Sequence, residues 1–527
     1  MKKLFLVFSL ILIFVYLALG NLSTATPAGF VYTEGINFYM DGKPYYFAGC
    51  NSYDLFTYGD GYNDSTVDYI ENYFMDKAGI DAIMDQMATD GVQVVRTWGF
   101  SHETWHGFEP AKGEYNEAQF MLFDYILESA RKNGIKVLIV LENYWEAYGG
   151  IDTRLAWEGL PGVSHANRAK FFTNEGCKEQ YRNYIKHFVS RANHYTNVAY
   201  KDDPTIFAWE LMNEPRYQDA GENSTGTTLR AWVDEMAALI KSIDPNHMVG
   251  IGIEGHESKY GFGGDEGNPF IYLHQSPYID YCTAHPYPDE PWANLSVDQT
   301  RRLIEAWIRD AHEVVGKPFI LEEWNVHNNK EEYWTAMLDE IEHHDAGGSL
   351  FWNYNDYSTS DLDMLHGYTI LTNIFKPHAA RMVAKSGTAA TPTPTPVLTP
   401  TPIPTATATP SPTPSPSPTL TPGTGCTVSY VIQNDWGSGA TVNITITNNG
   451  TTAINSWELE FSFPGNQRIT NLWCAKYTQN GAAVTVTNET WNSLIPAGAM
   501  VSFGFNLNYS GTNAPPAVFT LNGQTCN

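Results

Sequence analysis

Positive charge is scarce in this sequence, and the scarcity excludes several partners. The 31 Lys and Arg residues face 58 Asp and Glu residues, so the formal net charge is −27. A field of this sign repels the phosphates of nucleic acids and anionic membrane surfaces. We therefore expect no nucleic acid as a partner.

Phosphate-binding and metal-binding motifs are also missing. No glycine-rich phosphate loop is evident. The segment Asp60–Asp64 misses the calcium-loop pattern in spacing and in length. The run His343-His344-Asp345 lacks a third ligand at a fixed spacing, so it is interpreted as a solvated helix face. The sequence therefore predicts no cofactor and no metal site.

Long apolar runs are absent after the first twenty residues. The run Leu4–Leu19 follows a basic start and precedes small residues, which is the layout of a secretory signal peptide. We expect residues 1–25 to be this signal, with cleavage after Gly20 or Ala25. An uncleaved membrane anchor is the alternative, because the run nearly reaches the ~18 residues that a span needs. The rest of the chain is predicted to be secreted, extracellular and free of the membrane.

Aromatic residues are abundant, and the composition changes along the chain. The 31 Tyr, 26 Phe and 15 Trp residues indicate apolar or stacking surfaces, which suit sugar rings. Residues 388–424 are rich in Thr, Pro and Ser and carry no charge, which predicts a semi-rigid polyproline linker. This linker separates a predicted catalytic domain, residues 26–387, from a second domain, residues 425–527.

The first domain alternates short apolar strands with amphipathic helices. The predicted strands are Tyr45–Gly49, Val92–Trp98, Lys136–Glu142, Thr205–Asn213, Met248–Glu254, Ile279–His285, Pro318–Trp324 and Gly348–Asn353. The predicted helices include Phe120–Asn133, Lys178–Tyr195, Leu229–Ile243, Thr300–Val315 and Glu331–His344. This alternation predicts an α/β fold, a (β/α)8 TIM barrel. An open doubly wound sheet is the alternative, disfavoured by the missing glycine-rich loop.

The second domain has a different pattern. Its short alternating strands are rich in Thr, Val and Asn, and about 100 residues of this texture are typical of an all-β sandwich.

Two predicted barrel strands end in carboxylates. The fourth strand leads into Asn213-Glu214, and the seventh contains Glu322-Glu323. Catalytic side chains of barrels come from the C-terminal ends of strands, and a lone buried charge there is costly. Cleavage of a glycosidic bond needs two facing carboxylates, one to protonate the leaving oxygen and one to attack the anomeric carbon. The pattern therefore predicts a glycosidase site.

The region from Gly29 to about Val383 resembles glycoside hydrolase family 5, and within it the endo-β-1,4-mannanases. The motifs are Phe47–Tyr53, Arg96–Ser101, Tyr200–Ile206, Ala208–Arg216, Ile251–Gly255, Ala284–Asp289 and the Glu322-Glu323 strand. The resemblance implies that Glu214 is the general acid/base and Glu323 the nucleophile of a retaining double displacement. We then expect a raised pKa at Glu214, and an ionised Glu323 held by Arg96 and Tyr287.

Glu322 competes with Glu323 for the role of nucleophile. Adjacent residues of a strand face opposite sides, so only one of the two is expected to enter the barrel mouth. The family motif aligns Glu323 with the nucleophile, and Glu322 is therefore predicted to point outward to a salt bridge.

The resemblance also implies a set of substrate-binding residues. Asn213 is expected to bind the sugar 2-hydroxyl, His285 to orient the substrate or the acid, and Trp352 to lie beneath the sugar. A packed core position is the alternative for Trp352. Weaker candidates, for which packing or an ion pair is an equal interpretation, are Trp98, Asn143, Trp145 and Glu254. The complete predicted set is Arg96, Trp98, Asn213, His285, Tyr287 and Trp352.

Residues 426–527 resemble a family 2 carbohydrate-binding module. The matching segments are Asn434–Gly437, Ile454–Trp457, Gln467–Thr470, Trp491-Asn492 and Phe519–Gly523. The resemblance implies cellulose binding by an exposed strip of tryptophans, Trp436, Trp473 and Trp491, with Trp457 in the core. The family's usual Asn after the middle tryptophan is replaced by Cys474.

Two of the six cysteines, Cys426 and Cys526, bracket this second domain. In an exported chain they are expected to form a disulfide. The pairing of the other four stays open, since connectivity cannot be read from a sequence; they are Cys50, Cys177, Cys282 and Cys474.

The sequence thus predicts a secreted, monomeric endo-β-1,4-mannanase that cleaves mannan, glucomannan and galactomannan. The second domain is expected to hold it on plant cell wall through insoluble cellulose. Two alternatives stay open: an endo-β-1,4-glucanase of the same family, and a non-catalytic wall-binding protein with a degenerate barrel.

Overall fold

The computed structural model describes residues 27–59, 66–219, 221–386, 425–435, 437–473, 475–488 and 492–526. The chain forms two compact units. The predicted signal peptide, residues 1–25, and the predicted linker, residues 388–424, lie outside the described residues.

The first unit is a barrel of eight parallel strands. They are β1 (Phe47–Asn51), β2 (Val94–Trp98), β3 (Lys136–Val140), β4 (Ile206–Glu210), β5 (Met248–Gly250), β6 (Cys282–Ala284), β7 (Phe319–Trp324) and β8 (Gly348–Phe351). Each strand is followed by a helix: α1 (Lys77–Asp90), α2 (Glu117–Asn133), α3 (Glu175–Val189), α4 (Thr227–Ile243), α5 (Phe270–His274), α6 (Val297–Arg309), α7 (Lys330–His343) and α8 (Lys376–Ser386).

The strands pair in the order β5-β4-β3-β2-β1-β8-β7-β6. Pairing of β1 with β8 joins the first strand to the last, which an open doubly wound sheet does not do. The remaining seam lies between β5 and β6, where the backbone N–H of Asp280 donates to Val249 O at 3.0 Å. The predicted TIM barrel is confirmed.

Shorter elements surround these strands and helices. A small antiparallel sheet, Val31–Glu34 with Asn37–Met40 and Lys43–Pro44, precedes β1. Its Phe38 packs on Phe47 and Phe207, which start β1 and β4, so the sheet closes the N-terminal end of the barrel. The other short helices and helical turns are Leu55–Thr57, Val67–Tyr69, Ile70–Phe74, Gly150–Trp157, His165–Arg168, Ala169–Phe172, Tyr200–Asp202, Ser258–Tyr260, Asp310–Val315 and Leu371–Phe375.

The helices begin and end at residues that suit those positions. The side chains of Asn116 and Asn174 accept hydrogen bonds from the first turns of α2 and α3, and Ser296 forms a capping box with Gln299 at α6. Such caps satisfy backbone N–H groups that the helix leaves unpaired. The eight barrel strands are buried along almost their whole length, and among their residues Lys136 of β3 alone is partly exposed, as expected when helices cover a parallel sheet.

The predicted strand ends differ from the observed ones in a regular way. β4 was expected to reach Asn213 and β5 to reach Glu254, but the ladders stop at Glu210 and Gly250. The apolar character continues past the last ladder hydrogen bond, because the segments that follow the strands are buried as well. These buried segments carry the site described below.

β7 contains an irregularity. Ile320 pairs with Gly348 and Leu321 with Ser349, but Trp324 pairs with Phe351. β7 therefore has one residue more than β8 over this stretch, which is a β-bulge. Glu322 and Glu323 are the two residues inside it.

The second unit is an antiparallel β-sandwich. Its strands are β9 (Cys426–Asp435), β10 (Gly439–Asn448), β11 (Ile454–Asn455), β12 (Glu458–Ser462), β13 (Arg468–Trp473), β14 (Lys476–Asn480), β15 (Ala483–Thr487), β16 (Leu494–Ile495), β17 (Met500–Asn508), β18 (Phe519–Leu521) and β19 (Gln524–Cys526). One sheet has the order β9-β10-β17-β13 and the other β14-β15-β12-β18-β19, with β11 and β16 forming a separate pair. The predicted sandwich is confirmed.

Alternate residues of β10 point into the sandwich core. Val442, Ile444 and Ile446 are fully buried between half-exposed neighbours, the pattern of a strand with one face solvated. Trp457 is buried and stacks on Phe503, as predicted.

The cysteines divide between the two units. Cys426 and Cys526 form the predicted disulfide. Cys50, Cys177 and Cys282 of the barrel unit are unpaired and buried, and Cys474 lies outside the described residues.

Two of the three predicted cellulose-binding tryptophans, Trp436 and Trp491, also lie outside the described residues, and Trp473 is the last residue of β13. In the described parts of the chain, no helix has both the length and the apolar character needed to cross a membrane.

Candidate active site

An open cleft of about 750 Å³ lies at the C-terminal ends of the barrel strands. Segments that follow β3 to β8 contribute to it. Its side chains include two carboxylates predicted from the sequence, several aromatic rings and two groups that carry positive charge. They are Trp145, Glu214, Arg216, His256, Glu266, His285, Tyr287, Glu290, Trp292, Glu323 and Leu362.

Arg96 organises the floor of this cleft. Its guanidinium donates to both oxygens of Glu210, at 2.8 and 2.7 Å, and to Asn51 Oδ1 at 2.8 Å. It also donates to Glu323 Oε2 at 2.8 Å and to Asn213 Oδ1 at 2.7 Å. These bonds use all five N–H donors of an arginine. One fully buried side chain thereby fixes the ends of β1, β2, β4 and β7 relative to one another.

Glu323 is held by two donors. Besides Arg96, the hydroxyl of Tyr287 donates to its Oε1 at 2.8 Å. Burial raises the pKa of Glu323 above its ordinary value, and the charge of Glu214 adds to the rise, whereas His285, Arg96 and Tyr287 oppose it. The two predicted partners of this carboxylate are therefore in place, although the pKa is not lowered.

Glu214 occupies an unusual backbone position. Its φ is +53°, in the left-handed region, and its N–H donates to Gly252 O at 2.8 Å. The Trp145 indole donates to its Oε2 at 2.7 Å. His285 Nδ1 lies 3.0 Å from its Oε1. Both carboxylate oxygens are thus fixed in the cleft.

The expected rise in the pKa of Glu214 is wrong for the free site. Burial does act to raise this pKa, but the hydrogen bond and charge of His285, with help from Arg216 and Trp145, lower it to about 2. His285 shows the opposite change. Burial alone would lower its pKa, but the charge of Glu323 and the bonds to Glu214 and Glu322 raise it to about 10. In the free site the proton of this pair therefore resides on His285.

Glu214, His285 and Glu323 converge closely. One carboxylate oxygen of each glutamate and a ring nitrogen of His285 all lie within 4.8 Å of one another. A metal ion would need a histidine nitrogen free of its proton, and the raised pKa of His285 opposes that. Arg96 adds a positive charge at Glu323. The arrangement suits proton transfer, and we assign it no metal.

Glu322 does not point outward as predicted. It is fully buried, and its Oε2 lies 3.3 Å from His285 Nε2. The prediction assumed strict alternation along β7, but the β-bulge adds a residue, and both glutamates enter the barrel interior.

Asn213, which precedes Glu214, is almost completely buried. Besides accepting from Arg96, it donates from Nδ2 to Asn143 Oδ1 at 3.1 Å, and its backbone N–H donates to Glu142 O at 2.8 Å. Asn143, a weaker candidate from the sequence, thus contacts Asn213.

Glu254, another weaker candidate, lies against Arg216, which lines the cleft. It is buried and accepts from Arg216 at 2.6 Å. Burial raises its pKa to about 7, against the charge of Arg216. Glu254 therefore holds Arg216, the residue two positions after Glu214.

The predicted tryptophans fall into different surroundings. Trp352 is half-buried after β8 and stacks on Tyr53, with ring centroids 4.9 Å apart. Trp98 is only 4% exposed and packs among Tyr53, Phe100 and Tyr148. Trp98 is therefore a core residue, because its side chain packs within this aromatic cluster. Other aromatic side chains line the cleft.

Six of these lining side chains carried no prediction: Arg216, His256, Glu266, Glu290, Trp292 and Leu362. Arg216 lies within the motif that contains Glu214, which could have indicated it. Trp292 is 50% exposed, and a tryptophan in the polar segment after β6 is a usable signal of a binding surface. Nothing in the sequence around His256 sets it apart.

A TIM barrel with two carboxylates at the ends of β4 and β7 defines the class of protein: a glycoside hydrolase. Residues 28–356 match the family model described as GH family 5 beta-mannosidase-like. The chain belongs to glycoside hydrolase family 5, in this mannosidase-like group. Residues 426–526 match the model of a cellulose binding domain.

Curated relatives carry consistent names. Mannan endo-1,4-beta-mannosidase 7 of Arabidopsis thaliana is 35% identical over 353 residues, which cover 64% of this chain and 78% of the relative. Mannan endo-1,4-beta-mannosidase 1 of Oryza sativa subsp. japonica is 36% identical over 315 residues, 56% of this chain and 68% of the relative.

A solved structure gives the same result for the fold. The endo-1,4-beta-mannanase of Rhizomucor miehei is similar with a TM-score of 0.56 and 29% identity, over 67% of this chain and 99% of that chain.

Proposed function

We propose that the protein is a retaining endo-β-1,4-mannanase. The observation that carries this proposal is the approach of Glu214 and Glu323, whose oxygens lie within 4.8 Å. Retaining glycosidases hold their carboxyl groups ~5–5.5 Å apart, whereas inverting enzymes leave ~6.5–9.5 Å for a water molecule. The short separation supports the role of nucleophile for the second carboxylate.

In the first step, Glu323 attacks the anomeric carbon and Glu214 protonates the leaving oxygen. The bond from sugar to leaving group breaks, and an ester between the sugar and Glu323 forms. Arg96 and Tyr287 direct the attacking carboxylate. The proton that Glu214 gives up comes from His285 along the 3.0 Å hydrogen bond, because the free site keeps it there. Asn213 binds the sugar 2-hydroxyl, a contact that strengthens in the transition state.

In the second step, water replaces the leaving group. Glu214, now a carboxylate, takes a proton from the water as its oxygen attacks the anomeric carbon and the bond to Glu323 breaks. Glu214 then returns this proton to His285 along their hydrogen bond, which restores the free site. Two inversions retain the configuration of the sugar. Trp352 provides the apolar surface beneath the sugar at the cleavage site.

The proposed substrates are mannan, glucomannan and galactomannan. The names of the plant relatives and of the Rhizomucor miehei structure support this choice over cellulose derivatives. An endo-β-1,4-glucanase is the remaining candidate, because the same carboxylate pair serves both reactions.

For the rest of the chain, we propose the organisation expected from the sequence. Residues 1–25 are the signal peptide of a secreted monomer, residues 26–387 the catalytic domain, residues 388–424 the linker and residues 425–527 the carbohydrate-binding module. The match of residues 426–526 to a cellulose binding domain supports attachment to insoluble cellulose, with Trp436, Trp473 and Trp491 as the contact residues.

The test measures new reducing ends from glucomannan, galactomannan and carboxymethylcellulose. The full chain is compared with Glu214→Gln, Glu323→Gln and a surface control, Glu175→Gln, whose side chain is 70% exposed. We expect rapid shortening of the mannans alone, its loss in both cleft variants, and full activity in the control.

Other outcomes would change the proposal in specific ways. Activity mainly on carboxymethylcellulose would keep the carboxylate pair and replace the substrate. Unchanged activity of Glu323→Gln would refute the assignment of the nucleophile. Proton NMR of the first product distinguishes retention from inversion.

A further inference from the structure

His285 stands between two carboxylates at the buried floor of the cleft. Its Nδ1 lies 3.0 Å from Glu214 Oε1, and its Nε2 lies 3.3 Å from Glu322 Oε2. The ring is 1% exposed and Glu322 is fully buried. The three groups form a continuous row of carboxylate, imidazole and carboxylate that ends at the proposed acid/base.

Glu322 makes few hydrogen bonds for a buried carboxylate. Its Oε1 has no hydrogen-bond partner within the part of the chain that the structure describes. Burial of a carboxylate with an unpaired oxygen costs free energy. The β-bulge of β7 brings this side chain into the barrel interior, whereas regular alternation along the strand would turn it away from the interior. A costly side chain, brought inward by an irregular backbone, indicates a role beyond packing.

The contact with Glu322 decides which ring nitrogen can exchange a proton. An ionised carboxylate only accepts hydrogen bonds, so Nε2 has to carry a proton to bond Glu322. When His285 is neutral, that single proton stays on Nε2, and Nδ1 is the bare nitrogen that faces Glu214. Glu322 thus selects the tautomer of His285.

We propose that Glu322 is a positioning residue, which holds His285 so that Nδ1 passes the catalytic proton to Glu214 Oε1. The proposal rests on the proposed function of Glu214. In the step, the Nδ1–H bond breaks and a proton joins the Glu214 carboxylate. The imidazolium becomes a neutral ring whose remaining proton, on Nε2, still points to the Glu322 carboxylate.

Other charges also face this row. Arg96 of β2 and Glu210 of β4 lie on its inner side, and Glu323 lies 3.8 Å from His285 Nδ1. The remaining titratable or charged groups that act on Glu322, His285 or Glu214 are Arg216, Glu254, His256, Tyr281 and Tyr287. These groups are unchanged in Glu322→Gln, so a change in the pH profile of that variant reports on Glu322.

The experiment compares the pH dependence of kcat and KM on soluble glucomannan for the full chain and for Glu322→Gln. Glutamine keeps the size of the side chain but removes the charge that favours the imidazolium. We expect the alkaline limb of the profile to move down by about one pH unit. Activity on the acid side should stay within about threefold, and KM should not change.

Asp244→Asn is the matched control. Asp244 is also a buried carboxylate beside a histidine, with Oδ2 at 2.6 Å from His247 Nδ1, but it precedes β5 and lies at the opposite end of the barrel. This variant should lose thermal stability and keep the wild-type pH profile.

A measurement on the unmodified chain covers the case in which Glu322→Gln does not fold. Nitrogen-15 NMR of the histidines, with His285 assigned by difference from His285→Gln, reports the tautomer directly. We expect Nε2 to stay protonated from pH 7 to pH 11, a range over which only Nδ1 titrates, because the pKa of His285 is raised to about 10.

The outcomes separate this proposal from the proposed function. Superimposable profiles of Glu322→Gln and wild type, or a neutral ring protonated on Nδ1, would overturn the role of Glu322 while leaving the glycosidase intact. Equal loss of activity at every pH would also overturn it, since that result assigns Glu322 to the placement of Glu323. An inactive wild-type chain would instead refute the proposed function.

Discussion

At the scale of single residues, the site depends on side chains that serve two carboxylates at once. Arg96 joins Glu323 to Glu210, and His285 joins Glu214 to Glu322. Each charged group therefore affects the pKa of several others. The direction in which a substitution shifts these pKa values can be predicted from the contact that it removes.

Trp145→Phe tests such an effect. The indole N–H bond to Glu214 Oε2, 2.7 Å long, helps to lower the pKa of Glu214, and phenylalanine keeps the aromatic surface without the donor. Loss of the bond raises this pKa, so the carboxyl group should become protonated at a higher pH. We expect the titration midpoint of Glu214, followed by carbon-13 NMR of its carboxyl group, to move up by about half a pH unit. An unchanged or lowered midpoint would contradict the hydrogen-bond argument.

Sequence motifs were sufficient to predict the two carboxylates of the cleft and their main partners but not their charge states. Glu214, Glu323, Arg96 and Tyr287 meet as expected, because the ends of parallel barrel strands meet at one rim. The pKa of Glu214 could not be predicted in this way, because it depends on the distance to His285, 71 positions away. Trp98, the last residue of β2, shows the same limit, since tertiary packing decides which way its side chain points.

At the scale of elements, the segments that follow the strands are as constrained as the strands. Gly252, two residues after β5, has φ +89° and accepts from the Glu214 N–H at 2.8 Å. A side chain at this position has no space. A Cβ would lie 2.1 Å from Glu210 Oε1 and 2.3 Å from Met212 O.

Gly252→Ala is therefore expected to displace Glu210 from Arg96. We expect kcat/KM to fall at least ~100-fold and the thermal midpoint to drop by several degrees. The control is Gly261→Ala, at φ +67° with nothing within 4 Å of the new Cβ, which introduces only backbone strain of about 1 kcal/mol. Equal behaviour of the two variants, measured by reducing ends and circular dichroism, would show that the clash is relieved elsewhere.

A buried ion pair joins the end of β3 to the helix Gly150–Trp157. Arg154 donates to Glu142 and, at 3.0 Å, to Glu109. Burial would raise the pKa of Glu142, but the charges of Arg154 and His102 lower it to about 2. A folded-state pKa below the ordinary value stabilises the fold at pH values above about 4.5, and this contribution disappears as the pH falls towards 2.

Glu142→Gln should consequently cost about 3 kcal/mol of unfolding free energy at pH 7 and less than about 1 kcal/mol near pH 2.5. Urea unfolding of the barrel at several pH values measures the difference. The surface variant Glu175→Gln should cost less than about 0.5 kcal/mol at each pH. A difference that does not depend on pH would mean that packing, and not charge, is lost.

The β-bulge of β7 is an element that sequence patterns could not predict. A strand with two adjacent glutamates fits regular alternation as well as it fits a bulge, and the choice between them is made by pairing with β8. The barrel itself was predictable, since its eight apolar segments recur between helices.

At the scale of the whole molecule, the two units differ in chemistry. Residues 426–527 contain four acidic and two basic residues, so nearly all of the net charge belongs to the barrel part of the chain. The sandwich has a disulfide across a sequence separation of 100, whereas the three cysteines of the barrel are unpaired. The units should therefore unfold separately and respond differently to reduction.

Cys426→Ser tests this independence. Closure of a loop of this length contributes about 4–5 kcal/mol on the chain-entropy model. In calorimetry, the unfolding temperature of the sandwich should therefore fall strongly, while that of the barrel should not change. The unreduced parent chain is the control. A shift of both transitions by the same amount would mean that the units unfold as one.

The pairing of β1 with β8 has a consequence for the time course of synthesis. Phe47 and Gly348 meet across about 300 residues of chain, and at roughly 5–20 residues per second a ribosome needs on the order of 15–60 s to make that stretch. During this interval β1 has no partner on one side. A nascent chain therefore presents an open sheet edge until its last strand emerges, and it is in this period that a chaperone would be needed.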